Sequence, residues 1–190
     1  LFPNGHPTIA TIYSGFAAVY NETGDYKRAV VFQKKSIQYT VKKLGREDMN
    51  VAGQYNNLAR SYQGLLDYPT AIEFLEKSKE LYVKIVGEKH PNVATVLNGL
   101  GLCHRQIGDY ENALAYLRGS LDLRKSIFGE VDPEVANYYY QLGITYEVMG
   151  NLEKAEESYE KCLKSFGLRK GGDLQNVSDL YRLIPSLYTT

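Results

Sequence analysis

The chain of 190 residues carries 22 basic and 22 acidic side chains, a formal net charge of zero that removes the simplest electrostatic basis for binding nucleic acid or an anionic membrane. Hydrophobic residues make up 44%, which excludes a disordered chain, and no apolar run is long enough to insert through a bilayer. Two cysteines are not a disulfide framework, while 17 tyrosines with no tryptophan supply apolar rings with polar tips, suited to half-buried helix faces and binding surfaces.

In chain order, the first predicted helix covers about 7–22, and the turn Gly24-Asp25-Tyr26 leads to a second over 26–44 that ends at Gly45. Asp48-Met49-Asn50-Val51-Ala52 opens the same series again: a helix over 51–64, the turn Leu66-Asp67-Tyr68, a helix over 68–86, then Gly87. The third round starts at His90-Pro91-Asn92-Val93-Ala94, with helices over 91–107 and 110–128, the turn Gly108-Asp109-Tyr110 between them, and Gly129 after. The fourth starts at Asp132-Pro133-Glu134-Val135-Ala136, with helices over 133–149 and 152–168, the turn Gly150-Asn151-Leu152, and Gly171. The first round begins likewise, at His6-Pro7-Thr8-Ile9-Ala10, so every marker recurs at 42 residues. That register predicts four units, about 6–47, 48–89, 90–131 and 132–172, within one array over 1–172. The end glycines suit a left-handed cap, and Asp48 and Asp132 are placed to cap the helices that follow them.

Within the first helices, small residues recur at Ala17, Ala59, Gly101 and Gly143, and three residues on stand Tyr20, Tyr62, His104 and Tyr146. Small residues permit close helix approach, and a ring on the same face fills the gap beside them. Ala29, Ala71, Ala113 and Ala155 do the same work in the second helices, and Ser36, Ser78, Ser120 and Cys162 form a second narrow line seven residues on. Residues 173–190 leave the pattern, because Pro185 would fall inside a fifth first helix. Leu174, Val177, Leu180, Tyr181 and Ile184 instead mark one apolar stripe, so 173–190 is expected to be a C-terminal capping helix and tail.

Small–aromatic spacing inside paired helices resembles the tetratricopeptide repeat, whose usual unit is about 34 residues. The additional residues fall at the end of the second helix and in the His-Pro or Asp-Pro linker, which resembles the kinesin light chain type of this repeat. The matching residues are Val51-Ala52, Asn56-Asn57-Leu58-Ala59 and Tyr62, and His90-Pro91-Asn92-Val93-Ala94 with Leu97-Asn98-Gly99-Leu100-Gly101. The resemblance covers 6–171. It implies an all-α, right-handed superhelical solenoid whose first helices line a concave groove for peptides or helices. It also implies a cytoplasmic, cytoskeleton-associated setting. Because the chain begins at Leu1 rather than Met, it is expected to be part of a larger protein.

Carried over by register, the groove positions of the second unit include Asn56, Asn57 and Arg60, those of the third Asn98 and Arg105, and those of the fourth Asn137, Tyr140 and Gln141. An Asn amide offers donors and acceptors together, which suits the backbone of an extended ligand. Arg60 and Arg105 are placed to pair with acidic ligand groups, and Tyr140 to serve as an aromatic anchor. The Lys-Asn…Asn…Lys-Arg set by which some tetratricopeptide domains clamp a C-terminal carboxylate is matched only at Asn57. Ser14, Ala18, Thr95 and Gly99 stand at its other positions.

Chemistry of other kinds finds no footing. His6 and His90 precede prolines at unit junctions, and His104 replaces a core tyrosine. Cys103 lies beside His104, but adjacent helix residues point apart. There is no zinc spacing, phosphate loop or basic stripe. The sequence therefore predicts a non-catalytic module without cofactors, binding a protein or peptide in its groove as an adaptor or cargo-binding scaffold. The alternative is a structural spacer that self-associates through convex faces and the C-terminal amphipathic helix.

Overall fold

Eight helices alternate along the chain in a computed structural model that describes residues 8–130 and 132–167: α1 (Thr8–Glu22), α2 (Tyr26–Leu44), α3 (Met49–Gly64), α4 (Tyr68–Val86), α5 (Pro91–Gln106), α6 (Tyr110–Phe128), α7 (Pro133–Val148) and α8 (Leu152–Gly167). The first-helix bounds fall within two residues of those predicted, and the second helices coincide except that Leu168 lies outside the described residues. The expected cap over 173–190 and the markers His6, Pro7 and Gly171 also lie outside them. Each odd-numbered helix packs on the helix after it, and each even-numbered helix packs on the next unit, which builds an all-α solenoid.

Local chemistry explains where each helix starts. Asp48 and Asp132 accept the amides of Asn50 and Glu134 at 2.8 and 2.9 Å, and the Nδ1 of His90 accepts that of Asn92 at 3.1 Å. The turn acids Asp25, Asp67 and Asp109 cap the second helices by accepting from Arg28, Thr70 and Asn112. Asn151 does so for Lys154. Such caps contribute about 1 kcal/mol each. The residue before each of these caps closes the preceding helix with positive φ. Gly24, Gly108 and Gly150 take 77°, 81° and 75°, and Leu66 takes 61° without a glycine's freedom. The amide of Asp67 then reaches back to the carbonyl of Tyr62 at 3.0 Å, and that of Asp109 to His104 at 2.9 Å, closing Schellman turns.

The end glycines differ from the left-handed cap expected of them. Gly45, Gly87 and Gly129 have φ of 90°, 82° and 83° but ψ of 174°, 172° and 179°, an extended mirror conformation open in practice only to glycine. That geometry turns the chain outward into the linker while the glycine amide still bonds the last helical turn.

The small residues sit where helices meet. Ala17, Ala59, Ala29, Ala71, Ala113 and Ala155 are buried. A methyl added at Gly101 would stand 2.6 Å from Cγ of Leu117, and one at Gly143 would enter the ring of Tyr159. The serine line is a hydrogen-bonded clamp. Ser36, Ser78 and Ser120 donate to the carbonyls of Ala10, Ala52 and Ala94 at 2.7, 2.8 and 2.7 Å, tying the two helices of a unit together at buried or half-buried positions. Cys162 takes the fourth position and packs against Ala136. Leu75 and Leu117 anchor the two main apolar clusters, one spanning α3–α6 and the other α6–α8.

Candidate peptide-binding groove

The first helices lie side by side and present one polar wall. On its N-terminal half, Ser14, Ala18, Asn21 and the carboxylate-bearing Glu22 of α1 line a small cleft of about 90 Å³ with Gln33 of α2 and Asn57 and Arg60 of α3. Asn57 also lines a larger cavity of about 460 Å³, walled by Thr11 and Ser14 of α1, Tyr39 and Lys43 of α2, and Asn50, Gly53 and Gln54 of α3. Asn57 and Arg60 are exposed, and no carboxylate stands within ion-pair distance of Arg60 among the described residues.

The other sequence-predicted residues are placed differently. Asn56 and Asn98 are half-buried, and the Oδ1 of Asn98 is buried without a partner. Arg105 and Gln141 hold each other: the guanidinium donates to the Gln141 carbonyl at 3.3 Å and to its Oε1 at 3.0 Å, bridging α5 to α7. Burial pulls the Arg105 pKa below its ordinary value. Tyr140 is half-buried, its ring tilted against that of Tyr159 at 6.0 Å. Asn137 is exposed. The structure thus brings Asn57 and Arg60 together on one open wall and Arg105, Gln141 and Tyr140 together on another, partly closed one.

The unit-to-unit ties share one register. Gln63, one unit before Arg105, donates to the Gly99 carbonyl at 3.5 Å and to the sulfur of Cys103 at 2.9 Å. Burial raises the Cys103 thiol, and that hydrogen bond offsets part of the rise. Glu147, one unit after, makes its bond within its own unit instead: it accepts the hydroxyl of Tyr159 at 2.6 Å, and burial with the adjacent carboxylate drives that phenol well above its ordinary range. His104 bonds Asp109 at 2.9 Å and lies against Tyr116, a half-buried polar group satisfied at the turn.

A buried polar junction between the first two units was not among the predicted site residues. Gln54 donates through Nε2 to the hydroxyls of Ser36 and Thr40, both at 2.8 Å. Those hydroxyls give their own protons to the carbonyls of Ala10 and Ser36, so they accept from Gln54 and the amide orientation is fixed. Its Oε1 is left buried and unpartnered beside the larger cavity. Gln33, also buried, adds a bond to the Gln54 carbonyl at 3.4 Å. The signal was present in the sequence: Gln33 stands where Leu75, Leu117 and Tyr159 stand, and Gln54 where Val96 and Tyr138 stand.

The matching family models are those of the tetratricopeptide repeat, over residues 50–126 and 93–166 for one and 9–48 for the other. The chain belongs to the tetratricopeptide repeat family. No curated protein gives a significant sequence match. Among solved structures, this tetratricopeptide array is similar to BtubC (BKLC) from P. vanneervenii, at 23% identity and a TM-score of 0.82, over 95% of this chain and 73% of that one. It is similar to the nearly identical kinesin light chain-type repeats of Podosopora anserina, at 19% identity and 0.74, over 96% of both chains. Aspartyl phosphate phosphatase F from Bacillus subtilis shares the fold at 18% identity and 0.78, over 92% of this chain and 44% of that one. At these identities the likeness is one of fold. Tetratricopeptide repeats are typically non-catalytic and bind protein partners, so the array is a scaffold for protein–protein interaction. No described helix is long and apolar enough to cross a membrane.

Proposed function

We propose that the first-helix wall binds an extended peptide segment of a partner protein, and that the array acts as an adaptor or cargo-binding scaffold. The observation that carries this is the position of Asn57, which lines both the 460 Å³ cavity and the neighbouring cleft. One side chain with donors and acceptors therefore stands between two adjoining hollows of mixed polar and apolar lining, with Arg60 in the cleft and Lys43, Leu44, Met49 and Tyr82 in the cavity wall. An extended ligand carrying an acidic side chain matches that pattern: backbone groups meet the amides, and the carboxylate meets a guanidinium free to pair in bidentate fashion. On this reading Asn56, Asn98 and Asn137 extend the polar wall. The Arg105–Gln141 bridge and Tyr140 form its C-terminal half, where binding competes with bonds already made. The kinesin light chain-like fold relatives favour a cytoplasmic, cytoskeleton-associated setting.

The test is a selection of peptides from a random library on the whole chain, followed by titration of the best binder. Affinity is expected to fall at least tenfold for Asn57→Ala with Arg60→Ala, and less for Asn137→Ala. Equal affinity for wild type and the Asn57, Arg60 double variant would sink the groove assignment.

A further inference from the structure

The chain as a whole is neutral and no basic stripe is expected from its sequence, but the folded α2 presents one. Residues 26–46 hold seven basic side chains and no acid. At about 3.6 residues per turn, Lys27, Val31, Lys34, Lys35, Gln38 and Lys42 fall on one side of α2, opposite the buried Ala29, Gln33, Ser36 and Thr40. All six are exposed. The strip runs about 22 Å along the helix, at a rise of about 1.5 Å per residue. This side of a second helix stays open whatever precedes it. At the corresponding places of α4, which has a unit on either side, Glu73, Lys77 and Lys84 keep 59%, 47% and 60% of their side-chain surface.

What the strip lacks is the acids of its counterparts. The position of Val31 is held by Glu73 in α4 and Glu157 in α8, and that of Gln38 by Glu80 in α4 and Asp122 in α6. Glu73 and Glu157 each pair with the lysine four residues on, Lys77 and Lys161, which hold the position of Lys35. In α2 the lysine stays and its carboxylate is gone. Lys27, Lys34, Lys35 and Lys42 have no carboxylate within ion-pair distance among the described residues. Lys34 and Lys35 lie instead over the rings of Tyr62 and Tyr13, 5.5 and 5.7 Å from their centroids. Two places that carry acids elsewhere in the array thus carry none in α2. They stand about 10 Å apart along the helix, each flanked by lysines.

The width of the strip selects its occupant. Consecutive second helices stand side by side, as Tyr116 of α6 shows by donating to Glu76 of α4 at 3.0 Å. The second helix beside α2 is α4, which carries Glu73, Glu76 and Glu80. Its axis is about one helix diameter away, ~10 Å, close to the screening length at physiological salt. A flat anionic bilayer or a nucleic-acid duplex laid on α2 would meet those acids too, and the six strip residues offer no ring on which an unpaired base could stack. A single acidic strand of polypeptide meets the lysines alone. We propose that the outer face of α2 docks an extended Asp/Glu-rich segment of a partner protein, about seven residues long. Its carboxylates sit over Val31 and Gln38, between Lys27 and Lys34 on one side and Lys35 and Lys42 on the other. The surface is separate from the polar wall of the first helices and does not depend on it. Exposed ion pairs contribute little each, so the contact is salt-sensitive and serves orientation and capture more than tight binding.

The probe is a labelled peptide of about eight glutamates, titrated into the full chain at low salt. Binding is expected to saturate, to fade as salt is raised, and to shift amides centred on residues 27–42. Lys35→Glu with Lys42→Glu is expected to weaken it roughly tenfold. Val31→Glu with Gln38→Glu is expected to weaken it as well, because it restores the acids of α4 and leaves every lysine in place. Lys89→Glu with Lys164→Glu makes the same change of net charge as the lysine pair at exposed positions off the strip, and is expected to leave affinity unchanged. So is Asn57→Ala with Arg60→Ala. All these positions are exposed, so helical circular dichroism should confirm folding. No saturable binding, shifts away from α2, or equal weakening by the off-strip pair overturns the proposal. So does displacement of the peptide by vesicles of equal parts phosphatidylserine and phosphatidylcholine, or by oligothymidylate, if that binding is lost with Val31→Glu and Gln38→Glu, because the occupant is then a membrane or a nucleic acid.

Discussion

Replacing Gln54 with methionine should stabilise the array even though it deletes two good hydrogen bonds. The bonds to Ser36 and Thr40 contribute about 1 kcal/mol each, so their loss costs about 2 kcal/mol. Neither hydroxyl is stranded, because each keeps its own donor bond to a backbone carbonyl. Against that loss, the buried and unpartnered Oε1 disappears, which relieves about 1–3 kcal/mol of desolvation. Methionine matches the unbranched stem, and its apolar end gains about 1.5–3 kcal/mol by staying buried. Imperfect packing beside the cavity takes back about 1 kcal/mol. The net expectation runs from about −0.5 to +3 kcal/mol and centres near about 1 kcal/mol of added stability, a rise in Tm of roughly 2–4 °C at this chain length. Urea melts followed by circular dichroism measure it, with the midpoint as the quantity compared, because repeat arrays can depart from two-state behaviour. A loss of more than about 1 kcal/mol would show that the polar junction holds the first two units together, contrary to this reasoning.

Four further outcomes follow from local geometry. Leu66 sits at φ 61° where the other three units have glycine, so Leu66→Gly should stabilise by about 1 kcal/mol; a lower melting temperature would contradict the strain reading. Gly101→Ala should cost about 1–3 kcal/mol, because its methyl would crowd Leu117 and the Ala113 carbonyl. Gly15→Ala, with open space around it in the middle of α1, should instead gain roughly 0.5–1 kcal/mol; two changes of the same sign would break the packing account. Burial raises both thiols, Cys162 from the ordinary 9.0 to about 11, so neither should react with a disulfide reagent at pH 8 until the chain is unfolded. Because the folded pKa is the higher one, the stability tied to a protonated Cys162 is full below pH 9.0 and is lost as pH rises through about 11. Cys162→Ala should flatten that part of a stability–pH curve, and an unchanged slope would assign the alkaline loss to tyrosines.

Most of the architecture was legible because it repeats. A marker such as Gly108-Asp109-Tyr110 means little alone. In register with 24–26, 66–68 and 150–152 it fixes a turn, and the structure shows the physics behind it: a positive-φ residue followed by a capping side chain. The glycines after the second helices were legible as chain exits but not in their ψ, since positive φ is compatible with two backbone regions and only the direction of the linker selects one. The wall residues were less legible. Register places Arg105 and Gln141 on the first helices, but it does not reveal that they reach each other between units and so satisfy groups that a ligand would use. The polar junction is illegible by register for the opposite reason: Gln33 and Gln54 depart from the recurring pattern, and no other unit repeats their pairing.

The most direct test of the central claim is a backbone amide footprint of the chain with a library-selected peptide bound. Shifts are expected to cluster on the facing sides of α1 and α3, around Ser14, Asn57 and Arg60, and to vanish with Asn57→Ala and Arg60→Ala. A footprint confined to the outer faces of α2, α4 and α6, with the first helices silent, would contradict the account.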